Sequence, residues 1–369
     1  MTYQRRNIEE MTGYAWGEQP ADPAVIKLNT NENPHPPSPA VDEALKNLTA
    51  ADLRTYPQPT ADALRDRLAD FHSVKRENIV ITHGGDEALR LAFTTFVEPG
   101  TPFGMADPSY SLYPVLASIQ GASIHEIPLH DNWDLPRDFA HELNEAGANL
   151  ACLVNPHAPS GVLLDAKRIS QLANDFNGVL LIDEAYVDFV DPALRYDVIR
   201  LVDAFENLLV LRTFSKGYSL AGLRLGYLVG SKSLLDPLLT KTRDSYNIDH
   251  ISQLLGVAAL SDQTYAEEIW AQVRADRRVL REGLVSQGFS VAASQTNFLL
   301  AEMPLSSDCT AKEVYEALKA HGVLVRYLDT PLLADKLRIT VGTTEQNQTL
   351  ITWLGDILSR SAARPGSTS

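Results

Sequence analysis

Short runs of aliphatic residues recur through the middle of the chain, and longer stretches with helical periodicity separate them. Runs of this length are typical of strands buried on both faces of a parallel sheet. Helical patterns cover residues 86–97 and 165–176 between them. The alternation predicts an α/β fold in which helices cover both faces of a mostly parallel sheet. The four runs are NIVIT (78–82), NLACLV (149–154), GVLLID (178–183) and NLLVLRT (207–213).

The pattern changes in the C-terminal third of the chain. Residues 265–287 place apolar side chains along one stripe of a single long helix. Strand-like runs follow at 296–302, 322–328 and 336–342, with a helical stretch after the first of them. We therefore expect a smaller α+β domain here. The predicted division is an N-terminal arm at 1–33, a large domain at 34–255 and a small domain at 256–369.

The charge and the cysteine content of the chain indicate which classes of partner to expect. The 369 residues carry 32 Lys and Arg against 47 Asp and Glu, a formal net charge of −15. Such an acidic chain repels phosphate backbones and anionic membrane surfaces, so we expect neither nucleic acid nor a membrane as partner. Two cysteines and unclustered histidines predict no disulfide framework and no metal site. With no apolar leader or membrane-length run, a cytoplasmic protein is expected.

Polar residues follow the ends of the first two strands, where open α/β sheets bind ligands. GGDEA (84–88) follows the first run and opens a helix, whose N–H groups favour a phosphate. The alternative is a tight turn capped by Asp86. Asn155 follows the second run in a turn made rigid by two prolines, either as a positioned amide or simply as part of the turn.

The third and fourth strand ends add an acid and an amine. Asp183 ends a buried run, and a buried carboxylate needs a cationic or hydrogen-bond-donating partner. Tyr186 follows three residues later. The alternative is that Asp183 only caps a helix. Lys216 leaves the fourth run beside hydroxyl side chains, and Arg224 follows. Taken alone, this lysine is most simply a solvated surface residue. Together, the four ends match pyridoxal phosphate, which needs a lysine for its aldehyde, an acid for its ring nitrogen and donors for its phosphate.

At these motifs the sequence resembles the type I pyridoxal-phosphate aminotransferases, the aspartate-aminotransferase superfamily. Within that superfamily it resembles the histidinol-phosphate aminotransferases, over nearly the whole chain. The resemblance implies the type I fold, with a large cofactor-binding domain and a smaller C-terminal α+β domain. The motifs that carry it are LNTNENP (28–34), YPQP (56–59), GGDEA (84–88), DPSYSLY (107–113), DEAYVDF (183–189), RTFSKGYSLAGLRLGY (212–227), TNFLLA (296–301) and LRITVGTTEQN (337–347).

The resemblance also implies roles for individual residues. Lys216 would form the Schiff base with the cofactor and carry protons, Asp183 would pair with the ring nitrogen, and Tyr110 would stack on the ring. Tyr186 and Asn155 would bond the phenolate oxygen. Tyr56 would reach the cofactor phosphate of a neighbouring subunit, which implies a homodimer. The phosphate would be held by the backbone of Gly85, Asp86 and Glu87 with Thr213, Ser215 and Arg224.

Two arginines are candidates for binding the substrate. The resemblance implies that Arg338 binds a substrate carboxylate and that Arg326, with Tyr14, binds a substrate phosphate. The alternative is that both arginines are solvated side chains on an edge strand. Asn297 is either a wall of the same pocket or a structural residue. One departure concerns substrate identity. The family commonly has Asn-Pro-Asn-Asn-Pro-Thr-Gly where this chain has Asn-Pro-His-Ala-Pro-Ser-Gly (155–161).

The activity implied is transamination between a small-molecule amino donor and a keto acceptor, with Lys216, Asp183 and Tyr186 as catalytic residues. The favoured reaction converts histidinol phosphate and 2-oxoglutarate to imidazole acetol phosphate and glutamate, in histidine biosynthesis. An aromatic amino-acid aminotransferase is one alternative. A decarboxylase of the threonine-phosphate type, built on the same fold, is another.

Overall fold

The computed structural model describes residues 3–362, with side chains to residue 360. The strands are β1 (Ile26–Lys27), β2 (Ile79–Thr82), β3 (Pro102–Asp107), β4 (Ser123–Pro128), β5 (Leu150–Val154), β6 (Val179–Asp183), β7 (Leu208–Thr213), β8 (Gly226–Gly230), β9 (Ser290–Val291), β10 (Phe298–Glu302), β11 (Val323–Leu324), β12 (Arg326–Tyr327) and β13 (Lys336–Thr340). The α-helices are α1 (Arg6–Glu10), α2 (Pro39–Lys46), α3 (Asp62–His72), α4 (Gly84–Phe96), α5 (Leu112–Gln120), α6 (Phe139–Ala146), α7 (Ala166–Asp175), α8 (Lys232–Pro237), α9 (His250–Leu260), α10 (Gln263–Ser286), α11 (Ala311–Ala320) and α12 (Thr344–Ala362).

Seven strands form the central sheet in the order β2-β8-β7-β6-β5-β3-β4. The pairs from β7 to β4 are parallel, whereas β8 runs antiparallel to both of its neighbours. The mostly parallel sheet is confirmed, and the four aliphatic runs are β2, β5, β6 and β7. Because β5, β6 and β7 end at the same edge, the polar residues that follow them are brought together there.

Helices cover both faces of this sheet, as the alternation predicts. On one face, residues of α3, α6, α7 and α9 pack against alternate strand residues such as Ile81, Leu153 and Ile182. On the other, residues of α4, α5 and α8 pack against Val80, Cys152 and the remaining alternate residues. The strands are therefore buried on both sides, which accounts for their continuous aliphatic sequence.

The C-terminal part forms a second core. An antiparallel sheet with the order β12-β13-β10-β9 packs with α10, α11 and α12. The predicted strand at 322–328 is divided: β11 pairs in parallel with β1 of the N-terminal arm, and β12 pairs with β13. The proposed boundary after residue 255 falls inside α9. No helix within residues 3–362 is long and apolar enough to span a membrane.

Close backbone packing fixes the start of α4 against β8. A Cβ on Gly226 would lie 2.8 Å from the carbonyl carbon of Gly84 and 3.1 Å from the carbonyl oxygen of Arg212. Both neighbours are main chain, so neither moves aside without shifting a strand or a helix end. A side chain at position 226 would therefore displace the glycine turn that begins α4.

We predict that Gly226→Ala lowers the free energy of unfolding by about 1–3 kcal/mol, the usual cost of overpacking. The matched control is Gly222→Ala, because no atom lies within 4 Å of the position that its Cβ would take. Chemical denaturation of both variants measures the effect. Equal stabilities of the two variants would contradict the close-packing argument.

Candidate active site

A cavity of about 620 Å³ opens at the carboxyl edge of the central sheet. Its wall combines the ends of β6 and β7, the start of α4, the arm and strands β12 and β13. Charged and polar side chains from all these elements face a single space. The predicted site residues that line it are Tyr14, Gly85, Asp86, Tyr110, Asp183, Tyr186, Thr213, Ser215, Lys216, Arg224, Arg326 and Arg338.

Lys216 faces the cavity from the segment that follows β7. Its Nζ donates to the main-chain oxygen of Thr30 at 3.0 Å, and none of the ion pairs among the described residues includes it. Burial lowers its pKa to about 8, and the positive charges of Arg338 and Arg224 act in the same direction. The neutral form, which acts as a nucleophile, is therefore more populated near neutral pH than in an ordinary lysine.

Asp183 lies at the end of β6 and is only 4% exposed. The hydroxyl of Tyr113 donates to Oδ2 at 3.1 Å, and the backbone N–H of Ala185 donates to Oδ1 at 3.1 Å. Burial raises the pKa of Asp183 to about 6, while these two donors lower it. No cationic side chain pairs with this carboxylate, so it is available to a cationic ligand group.

Three tyrosines shape the interior. The Asn31 amide donates to the Tyr186 hydroxyl oxygen at 3.0 Å, so the phenol proton remains available to another acceptor. The rings of Tyr14 and Tyr110 meet edge to face at a centroid distance of 6.0 Å. Tyr110 also meets Tyr113 edge to face at 5.5 Å. Aromatic walls of this kind suit a flat ring.

An anion cradle lies at the start of α4. Gly84 has φ of +74°, and a Cβ there would lie 2.9 Å from Nη2 of Arg224. That nitrogen also contacts Oδ2 of Asp86 at 3.0 Å. Thr213 Oγ1 lies 2.9 Å from Ser215 Oγ and 3.0 Å from the Leu225 carbonyl oxygen, so two hydroxyl groups lie together beside the cradle. Helix N–H groups, a hydroxyl and a guanidinium are the donors that phosphate prefers.

The side chain of Glu87 does not join this cradle. Its Oε2 accepts hydrogen bonds from the backbone N–H of His83 and from the Asn247 amide. It therefore caps its own helix. Only its main chain, in the first turn of α4, is placed as expected.

The expectation that Asn155 contacts a cofactor is wrong in this structure. The residue is fully buried, its Oδ1 accepts from Leu164 N–H at 2.8 Å, and its Nδ2 donates to Leu164 O at 3.0 Å and to Tyr196 at 2.7 Å. The hydrogen bonds of this amide are thus made to Leu164 and Tyr196, and the residue does not line the cavity. Ala158 faces the cavity instead, at a position where the family pattern has asparagine.

His157 ties the same loop to the segment before Tyr110. Its Nδ1 lies 2.7 Å from Ser160 Oγ, and its Nε2 lies 2.9 Å from the carbonyl oxygen of Pro108. Burial lowers its pKa to about 4, so the ring is neutral. It is absent from the cavity wall and acts as a brace.

Arg338 carries a guanidinium that the protein leaves incompletely bonded. Nη2 donates to the carbonyl oxygen of Asn29 at 3.0 Å, but the buried Nε has no partner. Burial lowers the pKa of Arg338, and no carboxylate pairs with it among the described residues. Arg326 donates to the carbonyl oxygens of Ala15 and Trp16 at 3.3 and 3.4 Å. Both arginines are thus bonded only to neutral acceptors.

Two other predicted residues lie away from the cavity. Asn297 is fully buried, donates to the Asn31 carbonyl oxygen at 2.9 Å and does not line the cavity. Tyr56 is 80% exposed and stacks on Tyr246 at 4.5 Å, outside the cavity of its own chain.

Tyr113 and Asn31 contact two of the predicted site residues, Asp183 and Tyr186, and the sequence interpretation did not single them out. Both lie inside motifs already noted, DPSYSLY and LNTNENP. Tyr110 precedes α5 and Tyr113 lies in its first turn, where the two rings meet edge to face at 5.5 Å. The Asn31 contact depends on a loop path that no periodicity encodes.

The donor set fits pyridoxal phosphate. A buried amine without a counterion, an acid with no cationic partner and a phosphate cradle line one space, so each polar group of that cofactor has a matching residue. The described residues contain no cluster of three or more His, Cys, Asp or Glu side chains that would hold a metal ion.

Comparison with known proteins identifies the family to which the chain belongs. The family model of aminotransferase class I and II matches residues 23–354. Histidinol-phosphate aminotransferase 1 of Trichormus variabilis is 42% identical over 96% of this chain and 99% of its own. The histidinol-phosphate aminotransferase of Chromohalobacter salexigens is 40% identical over 93% of this chain and 95% of its own.

A solved structure agrees in fold. The histidinol-phosphate aminotransferase of Sinorhizobium meliloti, in complex with pyridoxal-5'-phosphate, superposes with a TM-score of 0.89 at 24% identity, over 98% of this chain and 99% of its own. The type I aminotransferase fold is thereby confirmed. By the match of the family model and of the sequence relatives, the chain belongs to the class I and II aminotransferase family.

Proposed function

We propose that this aminotransferase binds pyridoxal phosphate through Lys216 and transfers the amino group of histidinol phosphate to 2-oxoglutarate, in histidine biosynthesis. The observation that carries the proposal is the cavity itself. It combines the unpaired amine of Lys216, the buried acid Asp183 and the incompletely bonded guanidinium of Arg338. We place the reaction in the cytoplasm, as expected from the sequence.

The cofactor supplies, when bound, an aldehyde that captures amines and a ring that withdraws electrons from the reacting carbon. Asp183 would hold the cationic ring nitrogen, and Tyr186 would donate a hydrogen bond to the ring oxygen. Gly85 and its neighbours at the start of α4, with Ser215 and Arg224, would hold the phosphate. Lys216 Nζ would take up and return the proton at the substrate carbon.

The two arginines account for the choice of substrate. Arg338 offers its free Nε–H, and a carboxylate or phosphate is a stronger acceptor than the carbonyl oxygen that Nη2 now contacts. Arg326, beside Tyr14 and the arm, is suited to the second anionic group. 2-Oxoglutarate would offer a carboxylate to each arginine, whereas histidinol phosphate would offer its single phosphate to one of them.

The names of the relatives favour histidinol phosphate over the alternatives. Relatives of 35–42% identity over nearly the whole chain are histidinol-phosphate aminotransferases. An aromatic amino-acid aminotransferase would use the same cofactor residues. Only a comparison of reaction rates with different substrates distinguishes the two activities. A decarboxylase would release carbon dioxide and need no amino acceptor.

Lys216→Ala should abolish the covalent adduct that borohydride reduction traps between the wild-type protein and pyridoxal phosphate, because no other described amine lines the cavity. The matched control is Lys312→Ala, which removes an exposed lysine of α11 and should keep the adduct. Mass spectra of the reduced proteins measure this. A wild type that takes up no pyridoxal phosphate would overturn the proposed cofactor, and an adduct of the same yield in Lys216→Ala would overturn the proposed lysine.

The exposure of Tyr56 supports a homodimer in which each chain completes the site of the other. Tyr56→Ala and Lys216→Ala should each be impaired alone. In a hybrid dimer one site recovers both Lys216 and Tyr56, so co-expression of the two variants should restore activity. A monomer in sedimentation, or no recovery in the purified hybrid, would contradict this arrangement.

Histidinol phosphate with 2-oxoglutarate should give a kcat/KM higher than phenylalanine or tyrosine by about tenfold or more, because a site built for a polar group discriminates strongly. Glutamate formation measures the reaction. The reverse order would favour the aromatic enzyme, and carbon dioxide released from a phosphorylated amino acid such as threonine phosphate would favour the decarboxylase.

In the same panel, Arg338→Gln should lower kcat/KM by roughly 30-fold or more, the usual result of removing one partner of an enclosed charge pair. Lys336→Gln is the matched control. It removes a cation from the same strand, two residues away, that pairs with Glu302 outside the cavity. Equal losses in the two variants would mean that Arg338 acts only through the fold.

A further inference from the structure

A tyrosine behind the cavity contacts the acid that the proposed function needs. Tyr113 lies in the first turn of α5, its side chain is fully buried, and its hydroxyl donates to Asp183 Oδ2 at 3.1 Å. Within residues 3–360 it is the only side chain that donates to this carboxylate; the other donor is the backbone N–H of Ala185. Tyr113 does not itself line the cavity.

The surroundings of Asp183 otherwise oppose its ionisation. Burial raises its pKa, and the nearby carboxylates of Asp86 and Glu184 raise it further. The neighbouring Cys152 thiol is fully buried with a raised pKa, so it stays neutral and offers no cation. An acid that is to hold a cationic ring nitrogen must be ionised, and hydrogen bonds to the charged form are what favour it here.

We propose that Tyr113 is a positioning residue that keeps the Asp183 carboxylate ionised and aimed at the cofactor ring. The inference rests on the proposed function, because it concerns the acid that would meet the ring nitrogen. The Tyr113 hydroxyl holds Oδ2 from the side away from the cavity, and the Ala185 N–H holds Oδ1. Together these two hydrogen bonds fix the orientation of the carboxylate. Tyr113 thus acts through Asp183 and touches neither cofactor nor substrate.

A purely structural role is the rival explanation. The Tyr113 ring meets Tyr110 and Phe103 edge to face, at 5.5 and 6.3 Å, and so helps to fill the core. Tyr113→Phe keeps that ring and removes only the hydroxyl. Tyr218→Phe is the matched control, since it removes the hydroxyl of another buried tyrosine, which is bonded to Gln263 and not to the acid.

The experiment measures the dissociation constant of pyridoxal phosphate for cofactor-free protein, by absorbance titration. Tyr113→Phe should weaken binding about tenfold or more, as expected for a lost hydrogen bond to a charged group, and Tyr218→Phe should not. In an Asp183→Asn background the added effect of Tyr113→Phe should fall below about threefold, because the charge on which it acts is gone.

The pH dependence gives a second readout that packing would not change. Without its side-chain donor Asp183 has a higher pKa, so at mildly acidic pH it is protonated in the variant and ionised in the wild type. The ratio of the two dissociation constants should therefore be larger near about pH 6.5 than near about pH 8.5. Titrations of the cofactor itself cancel in that ratio.

The outcomes separate the two proposals. If wild-type protein takes up no pyridoxal phosphate, the proposed function fails. If the wild type binds but Tyr113→Phe binds equally well, the role of Tyr113 is overturned. A loss of the same size in the Asp183→Asn background, or a ratio independent of pH, would also overturn it in favour of packing alone.

Discussion

The candidate site depends on keeping three of its charged side chains unpaired in one cavity, where Arg224 and Asp86 pair with each other at 3.0 Å. Lys216, Arg338 and Asp183 all line it, and none belongs to an ion pair among the described residues. Removing such groups from water is costly unless other contacts compensate. Here the contacts are neutral: main-chain oxygens for the two cations, and a phenol and an N–H for the acid. The charges therefore remain available to ligands of opposite sign.

The neighbouring residues along the same strands behave in the opposite way. Glu184 and Arg212 adjoin Asp183 and Thr213 in sequence, yet they form a buried ion pair with each other at 2.8 Å. Side chains alternate between the two faces of a strand, so consecutive residues at a strand end point to opposite sides. One side carries unpaired charge for chemistry, and the other carries paired charge that belongs to the fold. Residue type alone does not separate Asp183 from Glu184; their position on the strand does.

The same reasoning explains which features the sequence predicts. Strands β5, β6 and β7 were predicted because burial on both faces leaves continuous aliphatic runs, and the strand-end rule then placed Asp183 and Lys216 correctly at the cavity. Strands β3, β4 and β8 were missed because PFGMAD and GYLVG are interrupted by glycine or proline, and SIHEIP lies at a half-exposed edge. Asn155 was misplaced because sequence order gives the loop in which an amide lies but not the direction in which it points.

The substrate end of the cavity combines segments that are distant in sequence. Tyr14 comes from the arm, and Arg326 comes from the small sheet, where it contacts arm carbonyl oxygens. The pairing of β1 with β11 fixes the arm to the strand segment immediately before Arg326, with Ile26 opposite Val323. Because that pairing is made by main-chain hydrogen bonds, it tolerates many side chains and leaves little trace in the sequence. The Arg326 end of the cavity is therefore formed by a contact between the arm and the small sheet, whereas the Lys216 and Asp183 end is formed by the order of strands in the central sheet.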